Sequence, residues 1–211
     1  MLLDRGANVN ATTGREGTAL HGVAERGYIE VVKVLLDRGA NVDAMTDSKW
    51  TALHWAARNS YIEVVKVLLD RGANVDATTD MYREWTALHW VAERGHIEVI
   101  KVLLERGANV DAMTDSKLTA LNCAAERGHI EAVKVLLDSG ASVDPTTDGE
   151  WTAVHWAAER GHIEVMKVLL GRGANIDAMT NSKWTTLRWA TEQGHIEVVK
   201  VLLDKVQMLM P

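Results

Sequence analysis

The chain has 211 residues, no phenylalanine, and 29 acids against 23 bases for a net charge of −6. No run of Lys or Arg could neutralise a row of phosphates, so nucleic acid is not expected as a partner, and no apolar stretch approaches a membrane span, so no membrane insertion is expected. Cys123 stands alone, which excludes an intramolecular disulfide and fits a reducing compartment; charge at Asp4 and Arg5 precedes any apolar run, unlike a signal peptide, and a soluble, cytoplasmic protein is expected.

From the start, the phrase Leu-Leu-Asp-Arg-Gly-Ala-Asn-Val runs from Leu2 to Val9, and residues 1–10 read as the tail of a truncated first repeat. The phrase returns at Leu35, Leu68, Leu103, Leu136 and Leu169, and in decayed form at Leu202, in steps of 33, 33, 35, 33, 33 and 33 residues. A fixed period in this range marks a solenoid whose units bury their apolar faces only against their neighbours. The expectation is an all-α repeat solenoid in one domain, residues 1–211, with six helix pairs starting near Thr18, Thr51, Thr86, Thr119, Thr152 and Thr185.

Within each unit the signals recur in order. Thr51 precedes an apolar-rich segment, Ala52 to Arg58, where its side chain can cap the first helical turn. The break that follows is glycine in five units (Gly27, Gly95, Gly128, Gly161, Gly194) and Ser60 in the second, a position suited to a left-handed helix end. A second helix is predicted over Ile29 to Asp37, with Val31, Val32, Val34, Leu35 and Leu36 leaving only a narrow polar stripe, and Glu30 with Lys33 spaced for a weak pair. Gly39, Gly72, Gly107, Gly140 and Gly173 end these helices, and extended segments lead into polar turns.

The phrases Thr-Ala-Leu-His-Trp-Ala-Ala (Thr51 to Ala57), Glu-Arg-Gly-His-Ile-Glu-Val (Glu159 to Val165) and Leu-Leu-Asp-Arg-Gly-Ala-Asn-Val resemble the ankyrin repeat over essentially the whole chain. The resemblance implies a curved stack of helix pairs joined by β-hairpin fingers, used for binding other proteins through fingers and first helices. Two departures stand out. The family's proline at the first helical position is Ala19, Ala52, Ala87, Ala120, Ala153 or Thr186 here, and its finger glycine is Glu16, Lys49, Glu84, Lys117, Glu150 or Lys183. Finger geometry is therefore less well specified than helix geometry. Some ankyrin proteins are hydroxylated on an asparagine at the position of Asn10.

All eight tryptophans fall in couples five residues apart: Trp50 with Trp55, Trp85 with Trp90, Trp151 with Trp156, and Trp184 with Trp189. The first unit has Gly17 and Gly22 instead, and the fourth has Leu118 and Cys123, so both positions change together. With Thr as the cap, each couple occupies the two positions of a hydrophobic staple, which predicts ring-to-ring contact. The couples either only brace finger against helix or also line the surface presented to a partner.

Specificity is expected where the copies disagree. The second unit reads Arg58-Asn59-Ser60-Tyr61 where others read Glu-Arg-Gly-His, and the next finger, with Met81, Tyr82 and Arg83, is two residues longer ahead of Trp85. The candidate partner-binding set is Trp50, Trp55, Arg58, Asn59, Met81, Tyr82, Arg83, Trp85, Trp90, Trp151 and Trp184. The partner is an unspecified protein; the alternative is an architectural spacer with no partner site.

Eight histidines form two copied sets, four in the Thr-Ala-Leu-His phrase and four in the Gly-His phrase. Helices about 8–10 Å apart keep equivalent residues from converging on one ion, so structural hydrogen bonding is expected. No catalytic residue, metal site or cofactor is expected, since no phosphate loop or paired-carboxylate motif appears and Cys123 replaces a staple tryptophan. Apolar residues at both ends, Met1 to Leu3 and Val198 to Leu203 with Met208 to Met210, form no polar cap, so that either the chain is a piece of a longer array or its ends self-associate.

Overall fold

The computed structural model describes residues 8–13, 17–80 and 84–209, with side chains to residue 205. First helices are α1 (Ala19–Glu25), α3 (Ala52–Arg58), α5 (Ala87–Arg94), α7 (Ala120–Arg127), α9 (Ala153–Arg160) and α11 (Thr186–Glu192), each starting at the residue after a threonine. Second helices are α2 (Ile29–Asp37), α4 (Ile62–Asp70), α6 (Ile97–Glu105), α8 (Ile130–Asp138), α10 (Ile163–Gly171) and α12 (Ile196–Leu209). Most are under ten residues, too short to persist alone in water, so packing holds them.

The described residues fall into two compact units, 1–91 with 98–109, and 92–97 with 110–211. In the first, α1 packs on α3 and α2 on α4; in the second, α7, α9 and α11 pack in series, as do α8, α10 and α12. Alanines line the first-helix contacts, with Ala56, Ala57, Ala124, Ala125, Ala157 and Ala158 fully buried, which lets the helices approach closely. The second helices supply the volume through Val65, Leu68, Val133, Leu136, Met166 and Leu169. On the outer stripe Lys33 pairs with Glu30 at 2.7 Å, and the same spacing pairs Lys66 with Glu63 and Lys134 with Glu131. These exposed pairs contribute little to stability.

Gly128 shows why the turn between helices is glycine. Its φ of 74° lies in the left-handed region. The ring of His162, one repeat later, lies 2.7 Å from where a Cβ would stand. That ring donates from Nε2 to the Glu126 carbonyl at 3.0 Å, satisfying an oxygen that the end of α7 leaves unpaired. His129 over Gly95, His195 over Gly161 and Tyr61 over Gly27 repeat the packing. The glycine of one repeat and the ring of the next thus form one contact. A second link joins successive repeats along the loops: the side chains of Asp43, Asp76, Asp111 and Asp144 accept from the backbone N–H of Asn74, Asn109, Ser142 and Asn175. Asn10 does the same for Asn41 at 2.8 Å, and its amide donates to Gly39.

Among the described residues the fingers close as tight turns, without extended strands. Thr46 N–H donates to the Trp50 carbonyl at 3.0 Å, as Thr114 does to Leu118, Thr147 to Trp151 and Thr180 to Trp184. Isolated bridges appear only at Thr79 with Trp85 and Met179 with Thr185. The longer third finger keeps the same closing bond, Thr79 N–H to Trp85 O at 3.0 Å, so its two extra residues lie within the loop. Met81, Tyr82 and Arg83 fall outside the described residues. Neighbouring fingers join through Asp80 N–H to Ser48 O and Asn181 N–H to Gly149 O. Where the family's glycine is missing, Lys49, Glu84, Lys117, Glu150 and Lys183 take φ between 56° and 71°. A side chain held there costs about 1–2 kcal/mol.

Two substitutions test these backbone constraints by urea unfolding. Gly128→Ala is expected to destabilise by at least about 2 kcal/mol, from left-handed strain together with displacement of the His162 ring. Lys183→Gly, at an exposed position with φ 56°, is expected to stabilise by about 1 kcal/mol.

Candidate partner-binding surface

In four of the six repeats the finger delivers one tryptophan to the start of its first helix, and the helix returns a second ring one turn on. The centroids of Trp50 and Trp55 are 4.3 Å apart, Trp85 and Trp90 4.7 Å, Trp151 and Trp156 4.5 Å, and Trp184 and Trp189 4.6 Å. All four predicted staples are present, with tilted rings in the range aromatic pairs favour.

The rings also reach across repeats. Trp50 meets Trp90 at 4.9 Å and Trp151 meets Trp189 at 4.5 Å. Two four-ring chains result: Trp55, Trp50, Trp90 and Trp85 in one compact unit, and Trp156, Trp151, Trp189 and Trp184 in the other. Sequence reasoning stopped at the couples, although the signal was present. Trp50 to Trp90 spans one repeat step plus the five-residue staple, as does Trp151 to Trp189.

Burial divides the rings. Trp50 and Trp90 are 3% and 4% exposed and offer a partner almost nothing directly. The other six are half-buried and keep part of their surface in solvent. The indole N–H groups of Trp50, Trp156 and Trp189 are enclosed with no hydrogen-bond acceptor, which costs on the order of 1–3 kcal/mol each relative to a paired group.

Arg58 belongs to the first chain of rings. Its guanidinium carbon lies 5.5 Å from the Trp50 centroid, 5.9 Å from Trp55 and 5.3 Å from Trp90, within cation–π range. In the second chain Arg188 stands 4.4 Å over Trp184, a contact that the sequence reading missed. The rest of the divergent corner turns elsewhere. Asn59 donates to the Glu25 carbonyl at 3.1 Å, Ser60 takes a left-handed φ of 61°, and the Tyr61 ring lies over Gly27.

The histidines of the Thr-Ala-Leu-His phrase brace the same surface from beneath. Thr51 N–H donates to Nδ1 of His54 at 3.1 Å, so the proton resides on Nε2, which donates to the Ala77 carbonyl at 2.9 Å. His21 and His155 hold the equivalent bonds to Trp50 O and Ala178 O. Burial lowers the pKa of all three, that of His54 to about 4. Asn122 replaces this histidine in the fourth repeat; its Oδ1 accepts from Thr119 N–H at 3.0 Å, but its amide nitrogen finds no partner. Burial also pushes the Cys123 thiol up, which keeps it protonated and non-nucleophilic. Among the described residues no group of three or more His, Cys, Asp or Glu could hold a metal, and no helix is long and apolar enough to cross a membrane.

The sequence matches the profile of a family described as ankyrin repeats (three copies) over residues 1–79, 77–147 and 143–209. Among solved structures it is similar to the human ASB11 ankyrin repeat domain, at 29% identity and a TM-score of 0.86, covering 97% of this chain and 90% of that one. No curated protein matches it. The fold is that of an all-helical repeat solenoid.

Two measurements probe the surface. Ring pairs this close couple electronically, so the far-ultraviolet circular dichroism should carry an exciton couplet that weakens by about half when Trp50 and Trp90 are both replaced by Leu, with four rings in contact left in the second unit. An unchanged spectrum would show that the rings are not coupled. For His54 the unfolded chain, near the ordinary 6.5, takes up a proton before the folded chain at about 4. Its stabilisation is therefore complete above pH 6.5 and is lost as pH falls toward 4, by roughly 3 kcal/mol. Urea midpoints from pH 7.5 to 4.5 should fall steeply, and less so for His54→Asn.

Proposed function

The chain belongs to the ankyrin repeat family, and we propose that it is a non-enzymatic interaction module that holds a segment of a partner protein across its finger turns and first helices. Ankyrin repeats are generally protein–protein interaction modules, which supports the broad reading. The finer one rests on the ring chains. The fourth repeat forms the same finger turn and helix with Leu118 and Cys123 at the staple positions, Thr114 N–H bonding Leu118 O at 3.0 Å. A brace alone therefore does not require tryptophan.

In this reading Trp50 and Trp90 form the floor, and the half-buried Trp55, Trp85, Trp151 and Trp184 supply apolar contact. Arg58, Asn59, Met81, Tyr82 and Arg83 supply selectivity, and aromatic and Arg side chains are the types that carry most interface energy. The net charge of −6 does not suit nucleic acid, and the free, buried Cys123 suits a reducing, cytoplasmic setting.

A second reading, an architectural segment whose rings only brace, is favoured by the burial of Trp50 and Trp90. Quenching separates the two. Binding predicts that acrylamide quenches the half-buried rings and that a captured partner shields them. Tyr82→Ala with Arg83→Ala should then weaken that partner at least tenfold, about 1.4 kcal/mol, with the urea midpoint unchanged. Unaltered affinity in this variant and in Trp85→Leu would move the site elsewhere, and complete protection of every ring in the free protein would favour the brace.

A further inference from the structure

The fingers are not copies of one surface, because two of their positions alternate along the chain. Where odd fingers carry Thr12, Thr78 and Thr146, even ones carry Met45, Met113 and Met179, and Glu16, Glu84 and Glu150 alternate in the same way with Lys49, Lys117 and Lys183. The charges have a use inside the molecule. The lysine of one finger faces an acid of the next, Lys49 with Asp80 at 2.6 Å and Lys117 with Asp148 at 3.5 Å. The methionines have no such use. Met45, Met113 and Met179 are 48%, 49% and 56% exposed, and the threonine that follows closes both kinds of finger by the same bond, Thr114 N–H to Leu118 O and Thr147 N–H to Trp151 O, each at 3.0 Å. The fold therefore leaves their apolar surface in water, on a side chain that adapts readily to a partner's shape.

Within the compact unit that holds residues 110–211, the fingers of Met113 and Met179 flank the finger of Thr146 and Glu150. Asp148 N–H donates to Ser116 O at 3.2 Å and Asn181 N–H to Gly149 O at 3.0 Å, so the three form one joined edge. The middle finger carries smaller side chains, with Thr146 and Gly149 where its neighbours have methionine and serine, and Glu150 is exposed on it. We propose that this edge binds an extended segment of another protein, with one apolar side chain on each methionine and a basic side chain between them on Glu150. The proposal rests on the interaction-module reading and names the segment that the fingers take. Spacing defines its motif. Packed helices lie about 8–10 Å apart, so alternate fingers are separated by up to about 20 Å, the span of about six residues of extended chain. The partner's apolar residues are thus six apart with the basic residue midway. A helix would need about fourteen residues for that span and would present apolar side chains every three or four residues, where the middle finger offers only Thr146, Gly149 and Glu150.

Methyl NMR of the full chain, labelled at the methionine ε-carbons and assigned with Met113→Leu and Met179→Leu, reads the contact directly. The probe is a synthetic peptide with Leu at its first and seventh positions and Lys at its fourth. Two controls move the second Leu to the fifth position or replace the Lys by Glu. The probe should shift the Met113 and Met179 signals together and leave that of the buried Met166 in place, and each control should bind at least about threefold more weakly. Glu150→Lys should reverse the preference between the Lys and Glu peptides. The fold tolerates this change, since Lys117 and Lys183 occupy the same position with the same left-handed φ. No shift at either methyl, equal affinity for all peptides, or a preference that Glu150→Lys leaves unchanged overturns the proposal, as does tighter binding of a helical peptide with its Leu residues spaced for the same span. A captured partner that still shields the tryptophans in that event leaves the interaction-module reading standing, whereas loss of both signals removes that reading as well.

Discussion

The structure depends on a ring resting on a glycine one repeat away. At the end of each first helix the chain must reverse, and the left-handed residue that does so leaves helical carbonyls without partners. The following repeat resolves both problems at once. Its His129, His162 or His195 ring fills the space above the glycine and donates to the Glu93, Glu126 or Glu159 carbonyl. Apart from the Gly194 turn, which forms with nothing over it, these glycine turns are completed by a neighbour, so much of the stability is a property of neighbours. The one irregular step, of 35 residues, has its excess in sequence between Thr79 and Trp85, which keep the finger's closing bond.

Both histidine sets serve backbone bonding, in different surroundings. The Gly-His rings sit half-buried at repeat junctions, whereas His21, His54 and His155 lie in the protein interior and cap the first helices. An imidazole in the second setting accepts one backbone N–H and donates to a carbonyl in the next finger, which requires the neutral form. Asn122 reproduces only the first of these bonds, because its side chain is too short to reach the next finger. A charge brought into this site meets both lost hydration and a misplaced proton, and for that reason burial outweighs the hydrogen bonds in setting the His54 pKa.

Much of this was legible in the sequence because repetition supplies its own control. Helix starts, left-handed turns and tryptophan staples could be read from columns of equivalent residues. What escaped was contact between columns. The Trp50 to Trp90 approach needs two positions one repeat apart to be considered together, and periodicity within a single unit does not suggest it. Arg58 was visible as an exception in a column of glutamates, but its destination among three indole rings depends on side-chain direction at the end of α3. The fingers were the least legible part. A lysine or glutamate at a glycine position says that strain is tolerated, and only the hydrogen bonds show that the turn keeps its shape despite it.

Repetition that simplifies folding also makes recognition ambiguous, because a partner that fits one copy of a surface also fits another copy a whole number of periods away. The two chains of rings are near duplicates in spacing, so tryptophan contact alone cannot fix where a partner sits. The cations break that equivalence. Arg58 lies among Trp50, Trp55 and Trp90, whereas Arg188 stands over Trp184 at the edge of the other chain. The longer finger ahead of Trp85 adds a second asymmetry to the first chain alone. Under the binding reading, apolar contact would be shared by both surfaces, and register would be set beside Arg58 and the extended finger, where a partner displaced by three repeats to the other chain of rings would lose both.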